Sequence, residues 1–381
     1  MKITDVRCLV LEDRKKYAAP QGAEEAAGVG YLCLIRVDTD AGITGWADVE
    51  TQPHVAHAAV HAPPSGSGLF EGLRELVVGE DPFEVERLWE KVYRGTAYYG
   101  RRGVAIQVLS GFDIACWDII GKATGLPIYK LLGAGYRRRV RAYASTLFRP
   151  TPDDMKRACE HYLARGFTAV KFGWGVFGED PVRDIALVRA AREALPDSCE
   201  LLIDPGWTRR RTARDAIELC RQLEPYRIFW VEDFLHPEDY AGYARVSQSV
   251  SVRIAAGEQE ATPWGFRRLI EEGKIDVAQP DLSRCGGLTA ARKIMWMVEE
   301  NRIDMAPHAW LTDLLGAASL HVNAALPRSL FVEYNVSANP MLRDIIATPL
   351  SLDSDGYIEV PDRPGLGIEV DEAAIERYRI L

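Results

Sequence analysis

Seven ionisable residues recur at regular intervals from residue 171 onward, each at or just after the end of a short apolar segment. They are Lys171, Asp204, Glu232, Glu258, Asp281, His308 and Glu333. A single carboxylate in such a position usually caps a helix or faces solvent in a loop. Seven in succession indicate that consecutive structural units each deliver one chemical group to a common place.

Asp204, Glu232 and Glu258 form the first group in this series with a clear chemical meaning. Three ionised carboxylates in a small volume repel one another, so either their pKa values rise or a divalent cation lies between them. Ligation by oxygen alone, without cysteine or histidine, suits Mg²⁺. We interpret the three residues as a Mg²⁺ site; the alternative is a ring of salt bridges with nearby basic residues.

His308 and Asp281 form a second group, at the ends of neighbouring apolar segments. A carboxylate that accepts a hydrogen bond from one ring nitrogen fixes the tautomer and raises the basicity of the other nitrogen. The pair therefore predicts an acid–base catalyst, whereas a buried histidine without such a partner is usually structural. The other six histidines have no comparable carboxylate and are interpreted as structural.

Lys171 adds a cation among these acidic groups. We interpret it as a residue that pairs with a substrate carboxylate or, if its pKa falls, acts as a base. The alternative is a structural salt bridge to Asp204.

The elements that must position these residues are eight short apolar runs, each followed by a helix-like stretch. They cover residues 140–145, 168–172, 201–204, 228–232, 254–258, 275–279, 304–308 and 330–333. Alternating strands and helices predict parallel βαβ units, and eight units predict a closed (β/α)₈ barrel. The active site of such a barrel lies at the carboxyl ends of the strands, which is where the seven ionisable residues fall.

The first 125 residues read differently, as an α+β domain with three strands followed by helices. The predicted strands cover 2–10, 31–38 and 43–49, and a long loop runs from Glu12 to Gly30. One helix is predicted to start at Asp81-Pro82, and another covers Val104–Lys122 with one apolar face. We predict a capping domain over 1–125, a barrel over 126–349 and a C-terminal segment, 350–381, that returns to the capping domain.

Composition narrows the class of protein. A net charge of −9 argues against nucleic-acid binding, which needs a basic face. Seven scattered cysteines without a C-x-x-C pair indicate neither a zinc site nor a disulfide framework. No secretory signal and no membrane-spanning stretch stand out in the sequence. These features predict a soluble cytoplasmic protein that acts on a small molecule.

Four segments together make the chain resemble the enolase superfamily and, within it, the mandelate racemase subgroup. They are residues 109–118 (LSGFDIACWD), 230–233 (WVED), 256–258 (AGE) and 279–287 (QPDLSRCGG). The resemblance implies a modified TIM barrel with an α+β capping domain, and Mg²⁺ held by Asp204, Glu232 and Glu258. It also implies a His308–Asp281 acid–base pair, contact of Glu333 with the substrate carboxylate, closure of the 12–30 loop over the substrate, and a homo-oligomer.

One departure from this family bears on the reaction. The subgroup often carries Lys-x-Lys at the second strand, and its second lysine is a base opposite the histidine; here Gly173 takes that place. Racemisation requires two opposed bases, whereas one residue can both remove a proton and protonate a leaving hydroxyl. The sequence therefore favours a dehydratase that converts a hydroxylated sugar acid to a 2-keto-3-deoxy acid. A racemase, epimerase or cycloisomerase, with Lys171 as the second group, and a non-catalytic carboxylate-binding barrel are the alternatives.

Residues that select the substrate are expected in the long loop and around the barrel mouth. The candidates are Lys15, Tyr17, Gln21, Arg101, Trp174 and Trp310.

Overall fold

The computed structural model describes residues 1–13, 30–133, 135–207 and 211–381. Three predicted substrate-binding residues, Lys15, Tyr17 and Gln21, lie outside the described residues, as does most of the predicted 12–30 loop.

The N-terminal part begins with an antiparallel sheet of three strands, β1 (Ile3–Glu12), β2 (Tyr31–Thr39) and β3 (Thr44–Val49), in the order β1-β2-β3. The β2–β3 connection is tight because Gly42 adopts a positive φ of 72° and the Thr39 hydroxyl both donates to and accepts from Ile43. The three predicted strands are thus present, with ends that differ by one or two residues. We call this sheet and its helices the cap.

Among the described residues, six helices lie between this sheet and the barrel strands in the chain. They are α1 (Pro53–His61), α2 (Leu73–Val77), α3 (Val85–Gly95), α4 (Ala97–Gly100), α5 (Val104–Thr124) and α6 (Ile128–Leu131). The helix predicted to start at Asp81-Pro82 begins instead at Val85. The Asp81 carboxylate accepts from the Phe83 N–H and the Asp81 carbonyl accepts from Glu84, so these residues form a turn first.

The long helix α5 is buried on almost all sides and not only on its predicted apolar face. It lies between the cap sheet and helix α12 of the barrel (Gly287–Asn301), so it forms much of the boundary between the two parts. Gly125 ends it in the left-handed conformation. By length and composition α5 alone among the described helices is apolar enough to cross a membrane, but 89% of that stretch is buried inside the protein.

Eight parallel strands form the second part of the molecule. They are β4 (Arg139–Leu147), β5 (Ala169–Gly173), β6 (Glu200–Asp204), β7 (Ile228–Glu232), β8 (Arg253–Ala256), β9 (Val277–Ala278), β10 (Asp304–Met305) and β11 (Val332–Asn335). Their order is β10-β9-β8-β7-β6-β5-β4-β11. The Met305 amide donates to Arg328 and its carbonyl accepts from Leu330, so hydrogen bonds also join the two ends of the row. The prediction of a barrel with an α+β cap is confirmed.

Seven helices connect successive strands. They are α7 (Pro152–Ala164), α8 (Pro181–Ala194), α9 (Ala213–Leu223), α10 (Tyr240–Ser247), α11 (Thr262–Glu271), α12 (Gly287–Asn301) and α13 (Asp313–Ala325). Five of them start at Thr or Asp N-cap residues whose side chains accept first-turn amides: Thr151, Asp180, Thr212, Asp239 and Thr312. The caps fix where these helices begin, and the loops between each strand end and the next cap are left to carry functional residues.

Helix α14 (Met341–Asp344) follows β11, and the C-terminal segment then contains β12 (Tyr357–Glu359) and α15 (Glu372–Tyr378). It reaches the cap, where the Ile380 amide donates to Val10 and the Leu366 amide donates to the carboxylate of Asp118. It also contacts the barrel, because β12 pairs antiparallel with β4. The division at 125/126 and 349/350 stays a prediction.

The interior of the barrel contains a ring of buried apolar residues, one from each strand or its immediate flank. These residues are Tyr143, Ala169, Leu202, Trp230, Ala255, Val277, Ala306 and Phe331. We call them the apolar layer. Its aromatic rings meet edge to face, with centroid distances of 5.8 Å for Tyr143–Trp230 and 5.7 Å for Trp230–Phe331. This packing supports whatever lies above it at the strand ends.

Candidate active site

A second ring of residues lies two positions further along each strand. Its members are Ser145, Lys171, Asp204, Glu232, Gly257, Gln279, His308 and Glu333, and all are buried. We call them the polar layer. Alternation along a strand points residues i and i+2 to the same side, so the polar layer faces the barrel axis at the carboxyl ends. Glu258 and Asp281 follow Gly257 and Gln279 and complete the set of predicted ionisable residues.

Three carboxylates converge in this mouth of the barrel. Asp204, Glu232 and Glu258 each offer an oxygen atom within 4.8 Å of the others, and all three side chains are buried. Burial raises the pKa of Asp204 well above its usual range, and the neighbouring charge of Glu232 raises it further. Such an arrangement is unfavourable for three bare anions and suits a divalent cation.

Lys171 contacts two carboxylates, and neither belongs to Asp204. The predicted structural alternative paired it with Asp204, whereas its ammonium group contacts Glu232 and lies 3.1 Å from Glu333. Burial alone would lower the pKa of Lys171, but the charges of Glu232 and Glu333 outweigh this and raise it well above the ordinary value. In this arrangement Lys171 is a fixed cation and a poor base.

His308 and Asp281 lie in loops just beyond the short strands β10 and β9. The Nδ1 atom of His308 is 2.7 Å from Oδ2 of Asp281. Because an ionised carboxylate only accepts hydrogen bonds, Nδ1 donates and Nε2 remains available for proton transfer. Nε2 faces the acidic cluster, 3.1 Å from Oε2 of Glu258. Burial would lower the pKa of His308, but Glu258, Glu333 and the Asp281 hydrogen bond together raise it well above 6.5.

Glu333 is held in place by two hydrogen-bond donors. It accepts hydrogen bonds from the Ser145 hydroxyl and the Ala309 amide, both at 2.6 Å. Burial opposes ionisation, but Lys171, His308 and these donors lower the pKa of Glu333 to about 2. It is therefore an ionised group with fixed orientation at the edge of the cluster.

The structure leaves little room for a side chain at Gly173, the position where the family often has a second lysine. A Cβ atom at this position would lie 2.9 Å from Oδ2 of Asp204 and 3.0 Å from its Cβ atom. A lysine here would have to displace the Asp204 side chain from the carboxylate cluster. The glycine is thus matched to the position of Asp204, and Lys171 is the only described lysine that reaches the cluster.

The remaining predicted substrate residues are scattered. Trp174 and Trp310 are half-buried in the loops after β5 and β10. Trp174 has a positive φ of 46°, and its ring lies against Gly206, where a Cβ atom would approach the ring to about 3.0 Å. Arg101 lines a separate open groove of about 600 Å³ between α4 and α11, together with Tyr98. No described contact joins Arg101 to the carboxylate cluster.

Sequence reasoning missed several residues that contact the cluster. Glu232 accepts hydrogen bonds from Trp230 Nε1 and from Gln279 Nε2, the latter at 2.8 Å. Both donors precede predicted site residues by two positions, so strand alternation could have pointed to them. Glu50 comes from the cap and pairs with Arg284 at 2.6 Å. No local pattern in a single sequence links these two residues.

Comparison with known proteins agrees with this geometry. The N-terminal domain model of mandelate racemase and muconate lactonizing enzyme matches residues 6–133, and the enolase C-terminal domain-like model matches residues 154–374. The chain is therefore an enzyme of the enolase superfamily. Within the superfamily, it belongs to the mandelate racemase/muconate lactonizing enzyme family, which confirms the resemblance seen in the sequence.

Relatives with named activities cover nearly the whole chain. D-galactarolactone cycloisomerase of Agrobacterium fabrum is 32% identical and aligns with 100% of this chain and 99% of its own. D-galactonate dehydratase of Ralstonia nicotianae is 34% identical, with 91% of each chain covered. The crystal structure of 3,6-anhydro-D-galactonate cycloisomerase from Zobellia galactanivorans superposes with a TM-score of 0.87 at 29% identity, over 100% of both chains.

Proposed function

We propose that this enzyme is a Mg²⁺-dependent dehydratase of a hydroxylated sugar acid that yields a 2-keto-3-deoxy acid. One observation carries the proposal: Nε2 of His308 faces the cluster of Asp204, Glu232 and Glu258, while Nδ1 is held by Asp281. A base aimed at a cation-binding carboxylate cluster suits removal of a proton next to a substrate carboxylate.

The donor set fits Mg²⁺. Asp204, Glu232 and Glu258 would hold the ion through buried carboxylate oxygens, and their mutual repulsion is the cost that a cation relieves. When bound beside the substrate carboxylate, Mg²⁺ supplies the positive charge that stabilises the extra negative charge formed on proton removal.

His308 carries the proton through both halves of the reaction. Its Nε2 takes the α-proton, and the C–H electron pair moves into the substrate carboxylate. As the electron pair returns, the C–O bond to the β-hydroxyl breaks, and His308 donates its proton to that hydroxyl, so water leaves. The resulting enol loses its hydroxyl proton and gains one at the β-carbon, which gives the 2-keto-3-deoxy acid. Asp281 keeps the imidazole oriented throughout.

The surroundings of His308 and the glycine at position 173 support the same reaction. His308 is a base only when neutral, and the charges that raise its pKa come first from Glu258 and Glu333. Glu258 is a proposed metal ligand, and Lys171 pairs with Glu333, so both charges have a partner. Gly173 supports elimination over racemisation, because it carries no base at the position where the subgroup often has its second lysine.

A second candidate is a cycloisomerase acting on a sugar-derived lactone or anhydro acid. Two relatives with that activity each align with the full length of this chain. The non-catalytic alternative gains no support from relatives that are named as enzymes. Assembly into a homo-oligomer stays a prediction.

A panel of aldonates, aldarates and their lactones, incubated with the protein and MgCl₂, tests both candidates. We expect a 2-keto acid from one aldonate or aldarate, loss of activity with EDTA, recovery with Mg²⁺, and a kcat about 10⁴-fold lower in His308→Gln. Isomerisation of a lactone or anhydro acid without loss of water would establish the second candidate. Deuterium incorporation from D₂O at the α-carbon without elimination would instead establish a racemase or epimerase.

A further inference from the structure

The cap reaches the proposed acid–base pair through the end of strand β3. The Glu50 amide donates to the Ser283 hydroxyl at 3.1 Å. Ser283 in turn donates from its amide and its hydroxyl to Oδ1 of Asp281, at 2.7 and 2.6 Å. The other oxygen of Asp281, Oδ2, accepts a hydrogen bond from Nδ1 of His308. A continuous chain of hydrogen bonds therefore runs from the cap backbone to the imidazole.

The Glu50 side chain forms a second link. Its Oε1 atom is 2.6 Å from Nη2 of Arg284, and Nη1 of Arg284 donates to the carbonyl oxygen of Glu258 at 3.0 Å. Nε of Arg284 lies 3.8 Å from Oδ2 of Asp281. Arg284 therefore contacts the backbone of Glu258 and lies near Asp281 of the acid–base pair, while it is itself held from the cap.

The free oxygen of Glu50 points behind the imidazole. Its Oε2 atom is buried, has no hydrogen-bond partner among the described residues and lies 3.8 Å from Nδ1 of His308. Nδ1 is the atom bonded to Asp281, whereas the reactive Nε2 faces Glu258 on the opposite side of the ring. Glu50 can therefore influence the orientation and charge of His308 without contacting a substrate.

The same residues do not make a convincing second metal site. Glu50, Asp281 and His308 each offer one ligand atom in a common place. However, Nδ1 of His308 already donates to Asp281, and the guanidinium of Arg284 supplies the positive charge that these carboxylates need. Charge pairing, and not cation binding, accounts for the cluster.

A neighbouring residue on β3 strengthens the connection. Asp48 is buried and accepts from the Thr312 amide at 2.8 Å and from the Thr312 hydroxyl at 2.6 Å. Thr312 begins helix α13 directly after the loop that carries His308. The end of one cap strand thus holds both loops, the one with Asp281 and the one with His308.

We propose that Glu50, acting through Arg284 and Ser283, is a positioning residue that makes the orientation of the His308–Asp281 pair depend on docking of the cap. The inference rests on the proposed function, because it assigns the pair to proton transfer. Without Glu50, Arg284 would lose its anchor in the cap, and the His308–Asp281 pair would lose the link that Arg284 provides.

Steady-state kinetics of Glu50→Gln test the proposal. Residues that orient a catalytic histidine typically cost 10- to 100-fold when removed, so we expect kcat to fall by about 10- to 100-fold with KM unchanged. The matched control is Glu372→Gln, which removes a comparable ion pair, to Arg36 at 2.8 Å, on the outer surface; its kcat should equal that of the wild type. An unchanged kcat in Glu50→Gln would overturn the proposal.

A double variant separates positioning from a merely structural ion pair. Glu50→Gln with Arg284→Gln removes both partly buried charges, so thermal stability should recover relative to Glu50→Gln, while kcat should stay low because the link from the cap stays broken. Recovery of kcat together with stability would overturn the proposal. If Glu50→Gln does not fold, Ser283→Ala interrupts the hydrogen-bond chain without changing a charge, and it should lower kcat with KM unchanged. A wild-type kcat in Ser283→Ala would then refute the idea.

Nuclear magnetic resonance gives an answer that does not depend on activity. In protein labelled with ¹⁵N-histidine, the His308 ring signals, assigned with His308→Gln, should move in Glu50→Gln while those of His321 stay in place. This result would support the link even if no sugar acid were turned over and the proposed function failed. Unmoved His308 signals would contradict the link even in an active enzyme.

Discussion

The apolar layer and the polar layer occupy the same barrel, on the same eight strands, two residues apart, and yet they face opposite physical demands. The apolar layer gains free energy when its aromatic and aliphatic groups leave water. The polar layer buries Lys171, Asp204, Glu232, His308 and Glu333, and each of these charges loses hydration that only its neighbours replace. The apolar layer stabilises the barrel, whereas the polar layer lowers the stability of the barrel by the hydration that its buried charges lose.

This contrast teaches how the protein separates folding from chemistry. Tyr143, Trp230 and Phe331 pack together below the site and hold the strands in place. The carboxylates of the polar layer can therefore stay close despite their mutual repulsion. Substitutions in the two layers should accordingly affect different quantities. Changes in the polar layer should mainly reduce the reaction rate, and changes in the apolar layer should mainly reduce stability.

His308→Gln gives the largest expected effect. Glutamine keeps a polar side chain of similar size but cannot take up a proton, so the variant should lose about 10⁴-fold in kcat, equivalent to about 5 kcal/mol of transition-state stabilisation. The melting temperature should stay close to that of the wild type. Steady-state kinetics and thermal denaturation measure the two quantities on the same preparation. A wild-type rate would remove His308 from the chemistry.

Phe331→Ala is the corresponding change in the apolar layer, two residues before Glu333. Removal of a buried phenylalanine leaves a cavity and should lower the free energy of unfolding by about 3 to 5 kcal/mol. The rate per folded molecule should change far less than in His308→Gln. Urea unfolding and activity at a temperature where the variant is folded test this pair of expectations. A rate loss as large as that of His308→Gln would mean that the two layers are not separable.

A comparison of two buried histidines sharpens the contrast. His308 sits among carboxylates that raise its pKa, whereas burial lowers the pKa of His321 to about 4, despite a hydrogen bond to the Leu366 carbonyl. Because the folded pKa of His321 is below the ordinary 6.5, the unfolded chain binds the proton first as pH falls. Its contribution to stability is complete above pH 6.5 and is lost progressively toward pH 4.

The non-titrating variant His321→Gln isolates this effect. The difference in unfolding free energy between wild type and variant should narrow by about 2 kcal/mol between pH 8 and pH 5. Urea denaturation at the two pH values measures it, and other titrating groups cancel because both proteins share them. A difference that stays constant with pH would show that His321 is not held neutral by burial.

Much of this arrangement was predictable because alternation along a strand is a local rule. The apolar runs ending in Asp204, Glu232 and Glu258 placed those carboxylates at one end of a barrel, and the structure brings them within 4.8 Å. The same rule would have identified Gln279 as an inward-facing residue. Strand lengths were less predictable, since β9 and β10 end before the residues they deliver.

Contacts between distant parts of the chain were not predictable. Glu50 and Arg284 meet across the boundary of cap and barrel, and no periodicity in either segment specifies the partner. The partners of Lys171 were not predictable for a related reason: strand order indicates which residues are neighbours, but not which of several close carboxylates a flexible lysine reaches. Docking geometry and side-chain rotamers decide such contacts, and a single sequence reports neither.

Trp230 is the residue at which the two layers are joined. Its ring packs in the apolar layer, while its indole N–H donates to Glu232 in the polar layer. Trp230→Phe keeps most of the apolar surface and removes only the donor, which leaves Gln279 and Lys171 to orient the carboxylate. If Glu232 holds Mg²⁺ as proposed, loss of this outer partner should weaken Mg²⁺ binding by about tenfold, or about 1.4 kcal/mol.

Isothermal titration with MgCl₂ measures this effect directly and needs no substrate. The matched control is Trp117→Phe, since Trp117 is also buried and its indole donates to the Thr289 hydroxyl at 3.0 Å, between cap and barrel. That variant loses the same kind of hydrogen bond and should bind Mg²⁺ like the wild type. If Trp230→Phe also bound Mg²⁺ with wild-type affinity, the apolar layer would serve as a support beneath the site without tuning it. Weaker Mg²⁺ binding in Trp230→Phe, but not in Trp117→Phe, would mean that the apolar layer also influences the affinity of the carboxylates for Mg²⁺.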